Sequence, residues 1–446
     1  MNRRKFLKST TLAAAVAPLV VTQFKLFGAD APSNKLNLAL IGTWGRGEAH
    51  FDSLATQNVV ALCDVNDDHL AFGLKKFPGA KTYVDWRKLL DDHQALALDG
   101  VVICSLDHTH AFISNWALNR GLHVYCEKPL ANTVEEARIV RANYLTKKTK
   151  LATQVGMQRH AFQNFNRIRE LIHDGAIGEL SAAYAWGNRQ LRRPGYLPAA
   201  GEPPSTLHYD LWLGPAPFHP YNPGYFSGGS GANCLQWNMY WDFGNGQVGD
   251  MGSHTMDLVW NVIDAGLPIT AEAKGEALNP EVSPVTLETH FDHPANNWRG
   301  PLRVSWYQGG AMPNSPKNYI DLNKIDHGAM FKGTKGFVVA DFTSRILLPF
   351  GDESDLTYYK PRPKSEVLPP LGHFQKEWFD ACKGNLKTSC DFNYSGQMIE
   401  QMLLGLVAYR AGKKIEYDGT TGRVTNAPEA NALLRHEYRQ GWTLNG

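Results

Sequence analysis

Residues 36–47 read Leu36-Asn37-Leu38-Ala39-Leu40-Ile41-Gly42-Thr43-Trp44-Gly45-Arg46-Gly47, an apolar, strand-like run that passes at once into a glycine-rich turn. A helical stretch ending near Leu54 follows, and a second strand, residues 59–63, then delivers Asp64, 22 residues after Gly42. Strand, glycine turn and helix in this order make a cradle for a pyrophosphate. Glycine lets the backbone come close, and the helix N-terminus offers free N–H groups and a positive dipole end. An acidic residue at the end of the second strand accepts hydrogen bonds from an adenosine ribose. Asp64 therefore favours NAD over NADP, because a 2′-phosphate would meet its carboxylate and neither Val65 nor Asn66 supplies a cation. One residue departs from the fingerprint: Trp44 stands where the middle glycine of G-x-G-x-x-G belongs, with Gly45 beside it.

The pattern continues outward from this turn. Residues 82–84 precede Asp85, an N-cap candidate, and the apolar strand 100–105 leads into Asp107-His108-Thr109-His110 and a helix. A fifth strand, residues 123–126, ends in Glu127-Lys128-Pro129, after which Thr133-Val134-Glu135-Glu136 forms a capping box. Residues 151–155 read as the sixth strand. Strands alternating with helices in this way predict an α/β fold with a doubly wound parallel sheet, which binds ligands beyond the carboxyl ends of its strands. The residues at those ends are Asp64, His108, His110, Glu127 and Lys128.

Composition sets the class. The chain has 446 residues, 43% hydrophobic and 20% charged, with 12 Trp, as expected of a folded globular protein with more than one domain. Its 45 Lys and Arg against 43 Asp and Glu give a formal charge of +2, and no basic run follows the N-terminus, which argues against a nucleic-acid partner. Six cysteines without a C-x-x-C pair argue against a disulfide scaffold and against structural zinc, and no metal is expected.

The N-terminus reads as an address. Asn2-Arg3-Arg4-Lys5-Phe6-Leu7-Lys8 precedes an apolar run over residues 12–21, too short to span a bilayer. It resembles a twin-arginine export signal in which Asn2 replaces Ser or Thr, implying export of a folded protein to the periplasm. Ala29-Asp30-Ala31 has the form of a cleavage site, although Pro32 follows it, so cleavage and a retained anchor both stay open. The expected organisation is a signal at 1–31, a dinucleotide-binding Rossmann domain at 35–156, and a substrate-binding and oligomerisation domain at 157–446.

Two further motifs carry chemistry. Lys128, at a strand end facing the cofactor cleft, can reach a bound substrate, and burial there can tune its pKa for proton transfer. Much later comes Gly249-Asp250-Met251-Gly252-Ser253-His254-Thr255-Met256-Asp257. If this segment is helical, Asp250, His254 and Asp257 share one face and a carboxylate stands next to an imidazole. That arrangement suits a proton acceptor, an i, i+4 metal pair or a surface ion pair.

A glycine-rich Rossmann turn, E-K-P after the fifth strand and D-x-x-x-H in the second domain together resemble the glucose–fructose oxidoreductase and inositol dehydrogenase family (Gfo/Idh/MocA), over roughly residues 35–410. The resemblance implies NAD as cofactor, with Gly42, Thr43, Trp44, Gly45, Arg46, Gly47, Asp64, Leu106, His110, Glu127 and Lys128 around it. It implies that Lys128 and His254 handle a hydroxyl proton with Asp250 in support, and that Pro129 is cis. It further implies a C-terminal α+β domain with an open, mostly antiparallel sheet, commonly used for homo-oligomer contacts.

Residues 205–243 hold ten aromatics in 39 residues, about a quarter, against 11% for the chain. Flat faces of this kind suit a carbohydrate ring, so Tyr209, Trp237 and Trp241, with Arg193 upstream and Asp250 and His254, are expected to bind substrate. A subunit interface, or a loop packed over the core, fits the same composition. Residues 182–186, 286–291, 302–307 and 336–340 read as strands of the second sheet, and 373–383 and 397–411 as helices.

The function expected is an oxidoreductase moving a hydride between a sugar or glycoside ring carbon, C3 in this reading, and tightly bound NAD. Two alternatives are an NAD-dependent glycoside hydrolase or lyase working by transient oxidation, elimination and re-reduction, and a non-catalytic sugar-binding protein.

Overall fold

β1 (Asn37–Ile41) is buried at every position but its first, because Leu38, Ala39, Leu40 and Ile41 project to both covered faces of a parallel sheet. It lies at the centre of six parallel strands with β2 (Asn58–Cys63), β3 (Lys81–Tyr83), β4 (Gly100–Ile103), β5 (His123–Cys126) and β6 (Thr153–Val155). The order is β3-β2-β1-β4-β5-β6. The chain reverses direction across the sheet between β1 and β4, which places the ligand crevice of such a fold at the carboxyl end of β1. The computed structural model describes residues 34–187, 192–227, 236–350 and 360–446. The export-signal reading of residues 1–31 lies outside them.

The connecting helices are α1 (Phe51–Leu54), α2 (Asp67–Lys76), α3 (Trp86–Asp91), α4 (Asp107–Asn119) and α5 (Val134–Lys147). Their starts are capped as their residue types require. Asn66 accepts from the Asp68 amide, Asp85 from the Arg87 amide at 2.9 Å, and Thr133 and Glu136 close the capping box read from sequence.

The second sheet has the order β13-β12-β11-β7-β10-β9-β8-β14-β15, built from β7 (Leu180–Gly187), β8 (Thr270–Gly275), β9 (Leu287–His293), β10 (Leu302–Gln308), β11 (His327–Gly333), β12 (Gly336–Ala340), β13 (Arg345–Pro349), β14 (Ile415–Asp418) and β15 (Arg423–Val424). Its pairs are antiparallel except β7 with β10. The other helices are α6 (Gln163–His173), α7 (Tyr209–Leu213), α8 (Gly246–Gly249), α9 (Met251–Ile263), α10 (Phe374–Lys383) and α11 (Phe392–Ala411). α9 packs on β7 and β11, while α11 packs on β8 and also on α5 of the Rossmann sheet, so one apolar helix contacts both sheets' layers. Among the described residues no helix is long and apolar enough to cross a membrane.

The aromatic segment does not present an open platform. Tyr209, Trp212, Tyr225, Tyr240 and Phe243 form a hydrophobic core of their own with Leu213, Ala216 and Val282. Trp212 stands 4.9 Å from Phe243, and Tyr225 stands 5.1 Å from Tyr240, centroid to centroid. Two of the expected substrate-binding residues are buried and engaged elsewhere in the fold. Tyr209 is 9% exposed and spends its hydroxyl on the carbonyls of His219 and Pro220. Trp241 is 5% exposed, donates to Asn279 O and lies under the Arg410 guanidinium. Aromatic density read as ring stacking is packing at these two positions: Tyr209 belongs to the separate aromatic lobe, and Trp241 to the main core. Trp237 is half-buried against that lobe.

Candidate active site

The turn after β1 supplies the first part of the site. Gly42 has φ +88, and a Cβ there would sit 2.5 Å from Cys104 O, so strand β4 passes too close for any side chain. A Cβ on Gly47 would lie 2.0 Å from Gly42 O. Trp44 occupies the middle-glycine position without breaking the turn, because Gly45 takes the positive φ, +61, one residue later. The Trp44 indole, 37% exposed, stacks on His69 at 4.8 Å, and His69 Nδ1 lies 3.3 Å from Asp64 Oδ1.

Asp64 sits where the spacing put it, at the end of β2. Its Oδ2 accepts from the Thr43 amide at 2.9 Å and its Oδ1 from the Asn66 amide at 3.0 Å, so the carboxylate ties the glycine turn to the β2 loop. The amides of Trp44, Gly45 and Arg46 have no acceptor among the described residues. Free amides in a glycine turn beside a strand-end carboxylate fit a dinucleotide: the amides would hold the pyrophosphate and Asp64 the ribose hydroxyls.

Glu127 and Lys128 come from the end of β5. Glu127 Oε1 collects Arg46 Nε at 2.9 Å, His50 Nε2 at 2.8 Å and Gln158 Nε2 at 2.7 Å, while its buried Oε2 has no partner among the described residues. Burial pushes this carboxyl up, but Arg46 and His50 outweigh it and hold Glu127 well below the usual carboxylate range. Arg46, expected on the cofactor, is thus paired with Glu127. His110 faces two carbonyls, Pro129 O at 2.7 Å and Ser105 O at 3.0 Å, which joins the β4 and β5 loops. The Lys128–Pro129 bond is cis, as the family resemblance implied.

Lys128 Nζ donates to Asp250 Oδ1, across the boundary between the Rossmann domain and the C-terminal domain. The one-face helix expected for Asp250, His254 and Asp257 is corrected: α9 begins at Met251, and Asp250 is its N-cap at φ −76, ψ −92. The break between α8 and α9 turns Asp250 toward Lys128. Asp257 points elsewhere, accepting from Tyr394 at 2.6 Å and pairing with His160 at 2.9 Å. His160, Asp257 and Cys390 stand close enough to hold a metal; the Asp257 carboxylate accepts from Tyr394 and pairs with His160, and burial raises the Cys390 thiol.

His254 is buried, and its Nδ1 has no partner among the described residues. Burial, then the positive charges of Lys128 and Arg159, push its pKa down to about 3. A neutral imidazole therefore stands beside the Lys128–Asp250 pair. Sequence reasoning passed over Asp107, the first residue of α4, which joins this cluster. It is buried and pushed up to about 8, by burial first, against the pull of Lys128 and with Asp250 adding to the rise. The signal was its place beside the two histidines at the end of β4. Of the residues expected on substrate, Asp250 and His254 meet at this cluster, while Arg193 is half-buried, donates to Arg192 O and acts electrostatically on Tyr240 of the aromatic core.

Two family models match the chain: the Gfo/Idh/MocA model described as an oxidoreductase family with an NAD-binding Rossmann fold, over residues 36–157, and its C-terminal alpha/beta domain model, over residues 183–286. The chain belongs to the Gfo/Idh/MocA oxidoreductase family. Its N-terminal sheet is that family's NAD-binding domain. Among similar proteins are the inositol 2-dehydrogenase of Salmonella typhimurium, 30% identical over 150 residues, and the myo-inositol 2-dehydrogenase of Thermotoga maritima, 28% identical over 148. Each alignment covers 32% of this chain, and the chain spans only 43% and 42% of those relatives' lengths. In fold, this Gfo/Idh/MocA chain is similar to the WlbA dehydrogenase of Bordetella pertussis in complex with NADH and UDP-GlcNAcA, with TM-score 0.59 and 17% identity over 86% of this chain and 99% of that one. Levoglucosan dehydrogenase in complex with NADH and levoglucosan gives TM-score 0.58 and 19% identity over the same shares.

Proposed function

We propose that the protein is an NAD-dependent oxidoreductase that moves a hydride between a secondary hydroxyl carbon of a sugar or polyol and the dinucleotide held on residues 42–47. The observation that carries it is the contact of Lys128 with Asp250 beside a neutral His254, at the crevice of an NAD-binding domain. NAD, when bound, supplies the hydride acceptor. The side chains supply the rest. Lys128 Nζ, as the amine, takes the substrate hydroxyl proton as the hydride leaves the carbon, and Asp250 balances the ammonium that forms. Neutral His254, which burial makes a poor base, donates a hydrogen bond to the same oxygen.

The substrate class is supported by the inositol dehydrogenases among the relatives and by the sugar ligands of the similar folds. Our reading goes on to a hexose or hexoside oxidised at C3, carried by the family resemblance. The paired arginines at Arg3 and Arg4 support export to the periplasm by the twin-arginine route. The test is a screen of free sugars, polyols and aryl glycosides, watching reduction of NAD by its absorbance. Reduction with a sugar or polyol is expected. Activity confined to short-chain alcohols or amino acids overturns the reading, and phenol release from aryl glycosides without NADH accumulating replaces it with hydrolysis by transient oxidation.

A further inference from the structure

We propose that residues 206–213 form a strap that closes the dinucleotide crevice and makes NAD a retained group rather than one exchanged at every turnover; the proposal rests on the NAD reading above. The crevice has two walls, the chain leaving β2 and the chain leaving β4, since these strands flank β1 and its glycine turn. The strap is fastened to both.

On the β2 wall it adds a rung of antiparallel sheet. The Asp67 amide donates to Thr206 O at 2.9 Å, the His208 amide to Val65 O at 2.8 Å, and Asn66 stands opposite Leu207. Side chains reinforce the rung: His208 Nε2 lies 3.1 Å from Asp67 Oδ1, and Thr206 Oγ1 donates to Asp68 Oδ2 at 3.1 Å. These partners come directly after Asp64, the residue that would hold the adenosine ribose. On the β4 wall, His108 Nε2 lies 3.2 Å from Trp212 O and 3.1 Å from Leu213 O. Both carbonyls are acceptors, so that nitrogen carries the hydrogen, and burial keeps the ring neutral. α7 crosses from one wall to the other, and Val65 and Leu106, one from each wall, pack against the same aromatic core as Leu207. Farther along the lobe, Asn238 Nδ2 donates to Asp107 Oδ2 at 3.1 Å, beside the catalytic cluster.

A dinucleotide seated on the glycine turn lies between the two walls the strap joins. It can leave only when one fastening opens, so the rate of exchange is the rate of strap opening.

Asn66 and Leu207 face each other between the two backbone bonds of the rung, the close type of antiparallel pair that accepts a disulfide. The experiment uses the full chain carrying Asn66→Cys and Leu207→Cys, with the cross-link verified by mass. Exchange of bound NAD for labelled NAD is followed by gel filtration in the oxidised and the reduced state of the same protein. Oxidation should slow exchange at least tenfold and reductant should restore it. Equal rates in the two states overturn the proposal. As a second arm, Thr206→Val with His208→Gln should speed loss of bound NAD by about tenfold with little change in melting temperature, and an unchanged half-life overturns the strap. A protein that carries no dinucleotide and takes none up fails the NAD reading itself, whereas one that binds NAD and exchanges it equally fast with the strap locked fails only the strap.

Discussion

The amide of Asn238, carried by the aromatic lobe, donates to the buried carboxyl of Asp107 at 3.1 Å, on the first turn of a Rossmann helix. This contact joins the lobe to a carboxyl that interacts electrostatically with both Lys128 and Asp250. With its pKa raised to about 8, Asp107 is mostly protonated at neutral pH and becomes a second carboxylate near Lys128 as pH rises through that value.

The sign for stability follows. A carboxyl raised in the folded state binds its proton more tightly there than in the unfolded chain. Its contribution is most favourable at low pH and is lost as pH climbs from the ordinary Asp value, 3.8, to about 8. Asp107→Asn keeps the shape and removes the titration. The kcat/KM profile of the wild type should bend near pH 8, and the variant should lose or shift that bend while gaining thermal stability relative to wild type as pH rises. Superimposable profiles and parallel melting curves would show that Asp107 is uncoupled from the reaction.

Lys128→Met should lower turnover by a factor of roughly 10² to 10⁴, the usual worth of a positioned proton-transfer group, and His254→Gln by roughly 10² to 10³, the worth of a donor aimed at the reacting oxygen. NAD affinity, read by quenching of protein fluorescence, should stay near wild type, because neither residue belongs to the glycine turn. His254 remains neutral down to about pH 3, so no inflection between pH 5 and 7 should be traceable to it. An inflection there that His254→Gln abolishes would assign the ring a proton it is argued not to hold.

Asp64→Ala should weaken NAD by roughly 10- to 100-fold, since hydrogen bonds to a charged group are worth about 1.5–3 kcal/mol. Part of the effect comes through the turn, because the lost carboxylate also holds the amides of Thr43 and Asn66. Titration calorimetry with NAD and NADP checks it. NAD binding as tight as wild type would remove Asp64 from the cofactor site.

Sequence reading was most successful where local pattern and tertiary role coincide. The run 36–41 is apolar because both faces of a parallel strand are covered, and Gly42 is required because β4 passes against it, so β1, the turn and Asp64 were legible from spacing alone. The break between α8 and α9 was not. Nothing in Gly249-Asp250-Met251 announces that Asp250 leaves the helical register to meet Lys128, 122 residues earlier in the chain. Strands β8, β11, β13, β14 and β15 escaped notice. Polar residues and glycines dilute the alternation of β8 and β11, β13 is a short apolar run without alternation, and β14 and β15 are only four and two residues long. Their pairing is decided by neighbours distant in sequence. The aromatic lobe was visible as composition, but composition does not say which face each ring turns inward.

That last distinction divides the aromatics by experiment. Trp212 is buried among Tyr209, Phe226 and Phe243, with ring centroids 5.5, 4.8 and 4.9 Å away, and its carbonyl accepts from His108. Trp212→Ala should destabilise the protein by about 3–5 kcal/mol, the usual cost of deleting a large buried ring, and the melting temperature should fall accordingly. Trp241→Ala should behave in the same way, since that ring is buried against Arg410 and Asn279. Trp237 is different, being only half-buried at the edge of the lobe and adjacent to Asn238, which reaches Asp107. Of the three tryptophans it alone retains a face for a sugar ring. Trp237→Ala should raise KM for the sugar several-fold while the melting temperature stays near wild type. If KM is unchanged and gel filtration shows an altered assembly state instead, the exposed face of Trp237 belongs to a subunit contact and the ring takes no part in substrate binding.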